Sequence, residues 1–258
     1  MIQFESVDLS TLDTLREDYF EAIKLPQELF LEWIVAKGKY FKIIQRGESI
    51  GYVIISEDDR LVEFHLTGSH ATKKEAIFSL ILNYFGLKSA CCKSFDSLLL
   101  TCCLTHCKSS KVAGSIFRDY TDTAFCEWDS SLSVRIADGT EIPFLSTFDS
   151  ELFGSLEELN YLVNNEMLYM FEQGERLVGC GYLIKVLPGK NVYDIGMWTN
   201  PDFRRQGYAT KIIAYMKNHC LANKYIPICG CAVDNIASRK ALERNGFISR
   251  HCLVEFDF

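Results

Sequence analysis

No stretch of the sequence is apolar for long enough to cross a membrane. A spanning helix needs roughly 20 consecutive apolar residues, and Leu80-Ile81-Leu82 is interrupted on either side by Ser79 and Asn83. Residues 1–8 lack the basic start and apolar core of a secretory leader, so a cytoplasmic location is expected and no membrane partner. There is no Gly-x-Gly-x-x-Gly and no Gly-Lys-Ser/Thr, which excludes the Rossmann fingerprint and the Walker loop. Basic excess is missing too: the net charge is −7 and both halves are mildly acidic. Nothing then supplies the counter-charge for a phosphate backbone, so nucleic acid is not an expected partner, and the balance leans toward cationic small molecules. With 48% hydrophobic and 24% charged residues the composition is that of an ordinary globular chain.

Cysteine is plentiful. The 11 cysteines include the adjacent pairs Cys91-Cys92 and Cys102-Cys103, which is the usage of a reducing compartment, where thiols pack as small hydrophobes. Cys103-Leu104-Thr105-His106-Cys107 has no second ligand pair at finger spacing, so no metal is expected. Cys180 and Cys231 sit in apolar strands with no neighbouring histidine and read as structural thiols rather than nucleophiles.

The 258 residues suffice for two units, each with its own core, and the order of periodicities suggests the same plan twice. Residues 40–52 fall in register on 168–180, each an apolar hairpin about a polar turn. The first half reads as helices over 12–23 and 29–34, a hairpin of 40–45 with 50–56, a strand over 61–67, a helix over 73–86 and a strand over 97–103. The 73–86 helix is expected to bury Ala76, Ile77, Leu80, Ile81, Tyr84 and Phe85. The second half reads as a strand over 132–136, a helix over 152–163 and a hairpin of 167–172 with 176–186. A strand over 192–199, a helix over 208–222, a strand over 226–232, a helix over 236–244 and a strand over 251–258 follow. The fold class expected is α/β with a mixed (α+β) sheet, in two halves, 1–129 and 130–258.

The chemistry concentrates between Met197 and Phe247. Thr199-Asn200-Pro201-Asp202-Phe203-Arg204-Arg205-Gln206-Gly207-Tyr208-Ala209-Thr210 ends a strand at Pro201, which cannot continue a ladder, and opens a helix at Gly207. First-turn amides have no intrahelical acceptor and the macrodipole favours an anion in front of them. Gly207 permits close approach, and Arg204 and Arg205 add planar positive groups suited to phosphate oxygens. This segment reads as a diphosphate cradle. A second block, Val233-Asp234-Asn235-Ile236-Ala237-Ser238, caps the next helix, which stops at Asn245-Gly246-Phe247.

Together Arg204-x-x-Gly207-x-Ala209 and Asn235-x-x-Ser238 followed by Gly246-Phe247 resemble the GNAT (Gcn5-related N-acetyltransferase) superfamily. The resemblance covers the second half. The first half follows the order of elements but lacks the cradle, since Thr67-Gly68-Ser69-His70-Ala71-Thr72-Lys73-Lys74 carries no Arg-x-x-Gly-x-Ala, and it reads as a degenerate GNAT-like copy. The resemblance implies the acyl-CoA N-acyltransferase fold, acetyl-CoA as co-substrate and a primary amine of a small molecule as acceptor. It implies that acetyl-CoA lies where strands 192–199 and 226–232 splay, against Met197, Trp198 and Thr199. Arg204, Arg205, Gln206, Gly207, Tyr208, Ala209 and Thr210 would hold the pyrophosphate, and Asn235 and Ser238 the pantetheine or its phosphates.

A base must take a proton from the substrate ammonium. Asp194 and Tyr193 are the candidates on the strand leading to the cleft, and alternation lets at most one face it. Where many relatives place a tyrosine acid, this chain has Leu242. Three functions therefore stand at this point: an N-acetyltransferase, another acyl transferase on the tandem plan, and a CoA-binding sensor without turnover. Oligomeric state is not legible.

Overall fold

The computed structural model describes residues 1–121, 130–148 and 155–258. The chain divides into two compact units: Met1–Ile116 with Ala232–Asp234 and Ser249–Phe258, and Phe117–Cys231 with Asn235–Ile248. The division is not a simple cut, because the last ten residues belong with the first unit.

In chain order the first run of elements is β1 (Ile2–Val7), α1 (Asp13–Ile23), α2 (Leu29–Ala36), β2 (Lys39–Gln45), β3 (Glu48–Ile55), β4 (Arg60–Leu66), α3 (Lys74–Phe85), β5 (Ser89–Lys93), α4 (Ser97–His106) and β6 (Ser109–Tyr120). The second run is β7 (Leu132–Ile136), α5 (Ile142–Leu145), α6 (Leu156–Asn164), β8 (Leu168–Gln173), β9 (Arg176–Lys185), β10 (Val192–Thr199), α7 (Tyr208–Ala222), β11 (Ile226–Ala232), α8 (Ile236–Arg244) and β12 (Phe247–Asp257). Among the described residues the two runs have the same succession of helices and strands, the mixed α/β pattern expected.

The first unit orders its strands β1-β2-β3-β4-β5, then the end of β12, then β6. Its core on one face joins Phe64, Phe78, Leu99 and Phe256, and on the other Leu12, Tyr19, Tyr52 and Val62. β12 enters antiparallel to β5, Phe256 opposite Ala90, and Phe256 is almost wholly buried. A polar network is buried here as well. Glu63 accepts from Arg16 at 2.9 and 3.1 Å, from Gln27 at 2.8 Å and from Tyr52 at 2.9 Å. Lys93 donates to Gln27 at 2.6 Å, and Tyr19 donates to Asp96 at 2.8 Å. A fully buried carboxylate persists because donors satisfy it on every side.

Two expectations for the first half are corrected. Residues 97–103 are not a strand but the start of helix α4: the Asp96 side chain accepts from the Leu99 amide at 3.1 Å, an N-cap that opens the helix. The strand in this region is β5, and β1 was not expected. Helix α3 buries Ile77, Phe78 and Ile81, whereas Leu80 and Tyr84 are 47% and 67% exposed; its buried stripe is rotated toward Phe78. In the second half α6 begins at Leu156 and the expected residues 152–154 lie outside the described residues. The final strand starts at Phe247, directly after the Gly246 stop, instead of 251.

The second unit orders its strands β11-β10-β9-β8-β7. Helix α7 turns Ile212, Ile213, Met216 and Cys220 toward Ile195 of β10 and Phe171 of β8, the 3.6-residue spacing of an amphipathic helix on a sheet. Gly196 is required in β10, because a Cβ there would meet the Tyr182 ring at 2.0 Å. Among the described residues no helix is long and apolar enough to cross a membrane.

Candidate functional site

β10 pairs with β11 in parallel only at Val192↔Ile226, Tyr193↔Pro227 and Asp194↔Ile228, while on its other edge it follows β9 as far as Thr199↔Gly179. Beyond Asp194 the two parallel strands part. Successive amides of a strand alternate between its two edges. The Asn200 amide donates to Val178 on the β9 side at 2.9 Å, so the amides of Thr199 and Met197 face the opened β11 side.

That opening leads to a cavity of about 620 Å³, a size suited to a small-molecule ligand. All of its lining lies in the second unit. The structure brings Met197, Trp198, Thr199, Arg204, Arg205, Gly207, Tyr208, Ala209, Thr210, Asn235 and Ser238 to this one space. Gln206 does not line it; its amide donates to the Asp202 carbonyl at 3.2 Å. Phe203, Ala237, Lys240, Ala241 and Arg244 join the lining without having been expected there. The α8 members fall at helical spacing along one stripe.

The loop before α7 leaves backbone amides and two arginines at the start of the helix. Gly207 is the N-cap, at φ +86°, and being glycine it offers no side chain to the first-turn amides. The amides of Thr210 and Lys211 donate to the Gly207 carbonyl, which leaves those of Tyr208 and Ala209 directed out of the helix end. Arg205 is held at φ +63°, a left-handed conformation that costs a non-glycine residue on the order of 1–2 kcal/mol. Arg204 donates through Nε to the Thr199 carbonyl at 3.2 Å. At α8 the Asn235 side-chain oxygen accepts from the Ser238 amide at 3.0 Å, so Asn235 works first as a cap and its NH₂ remains the donor for anything in the cavity.

Two buried residues fix α7 against α8. Asn245 donates to the Thr210 carbonyl at 3.0 Å and to the Ala241 carbonyl at 2.8 Å. Lys217 donates to the carbonyls of Thr121 at 2.6 Å and Asn245 at 2.8 Å. The first turn of one helix and the last turn of the other are thereby held at a set spacing around the cavity.

The residues present suit a polar, phosphate-bearing ligand. Trp198 Nε1 and Thr199 Oγ1 are buried and have no hydrogen-bond partner among the described residues, although both residues line the cavity. A buried polar atom left without a partner costs about 1–3 kcal/mol, so each is an invitation to a ligand. The Trp198 ring also packs on Phe148 at 4.8 Å between centroids.

Neither candidate base is among the residues that line the cavity. Tyr193 stacks on Tyr225 with centroids 4.2 Å apart. Asp194 is buried, and neither residue lines the cavity. Leu242 packs in the core beneath α7. Burial pushes the Cys180 thiol well up, which removes it as a nucleophile. His106 has both ring nitrogens engaged, Nδ1 with the Cys102 carbonyl and Nε2 with Ser79, each at 2.9 Å.

Comparison with known proteins agrees with this geometry. Residues 8–120 match the family described as "Acetyltransferase (GNAT) domain", and residues 133–247 match "Acetyltransferase (GNAT) family". No curated protein matches the sequence. Among solved structures, an acetyltransferase of the GNAT family from Colwellia psychrerythraea superposes with a TM-score of 0.90 at 21% identity, covering 99% of each chain. A GCN5-related N-acetyltransferase from Sphaerobacter thermophilus gives 0.68 at 11% identity, covering 99% of this chain and 95% of that one. A tandem GNAT protein from the clavulanic acid biosynthesis pathway gives 0.66 at 10% identity, covering 99% and 98%. These likenesses establish the shared fold, and the two family matches carry the assignment: the chain belongs to the GNAT acetyltransferase family, with two such domains in tandem.

Proposed function

We propose that the second unit binds acetyl-CoA and transfers its acetyl group to a primary amine of a small molecule. The observation that carries this reading is the parting of β10 and β11 beyond Asp194 directly onto a cavity whose mouth is the glycine-capped N-terminus of α7. Acetyl-CoA supplies an activated thioester carbonyl for attack by the amine. The protein's part is to hold it. The Met197 and Thr199 amides face the place a pantetheine arm would lie, and the Tyr208 and Ala209 amides with Arg204 and Arg205 face the diphosphate.

Of the two candidate bases, Asp194 has the chemistry to accept the ammonium proton. It shares a strand face with Gly196 and Trp198 by alternation, and we assign it this role through an intervening water. Asp194→Asn is expected to lower kcat and flatten its dependence on pH while leaving acetyl-CoA affinity unchanged. An unaltered pH profile would remove Asp194 from the reaction.

The first unit, which lacks the cradle, serves in this reading as a scaffold. We take 1–129 and 130–258 as the two copies of the duplicated plan, acting in the cytoplasm without nucleic acid or membrane. Calorimetry with acetyl-CoA, followed by thiol release over a panel of amines, tests the function. Micromolar binding with amine-dependent thiol release is expected. Binding with no release from any amine would favour a sensor, a reading that the leucine at position 242 supports, and absence of binding would overturn the proposal.

A further inference from the structure

Strand β10 presents two faces, and only one of them belongs to α7. A Cβ on Gly179 would meet Ile212 at 2.9 Å and one on Gly181 would meet Met216 at 2.8 Å, so these β9 positions turn toward α7. Thr199 and Met197 lie directly opposite them, and residues opposite one another share a face. Trp198 therefore points to the other face, away from α7. Cys180, Tyr182 and Asp194 lie on that face with it. Trp198 is 7% exposed, and its Nε1 has no hydrogen-bond partner among the described residues. An indole nitrogen can only donate, so the partner it lacks is an oxygen that a ligand brings. The surroundings say what carries that oxygen. The Trp198 ring packs on Phe148 at 4.8 Å, Phe148 packs on Phe144 at 5.4 Å, and Phe144 is 48% exposed. Three aromatic rings thus run from the strand toward the surface and offer a wall to an apolar chain. The Asp194 carboxyl is buried on the same face, where a second carboxylate would meet like charge, so the oxygen is a neutral one.

We propose that Trp198 determines which acetyl acceptor is used: its N–H donates to a neutral oxygen, of an ether, hydroxyl or amide, on a primary amine with an apolar chain. The proposal rests on the acetyl-transfer reading above and names the acceptor class for that same site. The co-substrate takes the α7 face, where the Thr199 hydroxyl is the unpartnered group, and the acceptor takes the face of Trp198 and Asp194. Trp198 meets the acceptor away from its nitrogen and moves no proton. A plain alkylamine of the same length leaves the indole N–H buried and unpaired in the complex, and a site built to donate a hydrogen bond discriminates against such an isostere.

Two series of primary amines of matched length test this, one hydrocarbon and one with a single methylene replaced by an ether oxygen at successive positions. Thiol release from acetyl-CoA is measured for each amine on the unmodified chain, on Trp198→Phe, and on a chain carrying at position 198 the benzothiophene analogue of tryptophan, which keeps the ring shape and lacks the N–H. Thermal melts show that each variant is folded. Every comparison is a ratio of two amines on one loaded protein, so a change in acetyl-CoA affinity cancels. The unmodified chain is expected to favour one ether over its hydrocarbon isostere by about ten-fold or more in kcat/KM, and both variants to lower that ratio by about ten-fold. No ether preferred by the unmodified chain, or the same ratio kept by the benzothiophene variant, would overturn the assignment while leaving acetyl transfer standing. If the unmodified chain binds acetyl-CoA and releases thiol with none of the amines, transfer itself fails and the assignment with it.

Discussion

Gly207 allows the ligand's contribution to be separated from the protein's own. Its φ of +86° lies in the left-handed region, and a Cβ added there would meet no atom within 4 Å. Gly207→Ala therefore brings strain without a clash. That strain costs about 1 kcal/mol, or a fall of about 2–4 °C in melting temperature for a chain of this size. Gly47, in the turn between β2 and β3, is a matched control: its φ is +83° and it too has nothing within 4 Å. The two alanine variants should lose the same stability in a thermal melt. Only Gly207→Ala should weaken acetyl-CoA binding in calorimetry, by more than ten-fold, or above about 1.4 kcal/mol, because the new methyl group stands where the diphosphate must reach the Tyr208 and Ala209 amides. Equal acetyl-CoA affinity in both variants would mean that Gly207 serves the turn alone, and the reasoning about the cradle would be wrong.

In the first unit, Arg16→Met leaves Glu63 buried without its main counter-charge and should cost about 3–5 kcal/mol in urea unfolding. Combining it with Glu63→Gln should recover part of that loss, and a single variant as stable as the parent would show the network to be dispensable. Burial holds the His65 imidazole below the ordinary histidine range, outweighing Asp18 and Glu63. Folding therefore favours neutral His65, and its share of the stability is present above about pH 6.5 and drains away as the pH falls through that value toward the lowered one. His65→Phe should lose less stability than the parent between neutral and mildly acid pH, and parallel losses would refute this. Phe256→Ala should cost about 3–5 kcal/mol and open new protease sites within residues 1–116, although the substitution lies far along the chain; cleavage confined to the second unit would contradict the placement of β12.

The loop residues that line the cavity were legible because their signals are local. A strand-ending proline, paired arginines and a glycine at a helix start keep their meaning whatever surrounds them. Lys240 and Arg244 were not, because two cations on an exposed helix face look like any solvated surface until a cavity is seen beside them. The 97–106 segment misled because Leu98, Leu99, Leu100, Cys102 and Cys103 leave no period to read, and the decisive signal was the single Asp96 cap. On α3, leucine and tyrosine suggested a buried stripe that Phe78 instead defines. Trp198 could be named from its strand position, but the unsatisfied state of its indole nitrogen is a property of packing, which only coordinates reveal.

The assignment of residues 249–258 to the first unit governs how such a protein can be made. During synthesis the earlier residues emerge well before the strand that finishes their sheet, and the edge of β5 must wait, exposed to mispairing, until β12 is released. Domains ordinarily fold in order as they leave the ribosome; here the amino-terminal unit closes last. The placement of these ten residues also ties the two units together, for a gene cut at the midpoint would yield one product missing a strand and another carrying a strand with nowhere to go.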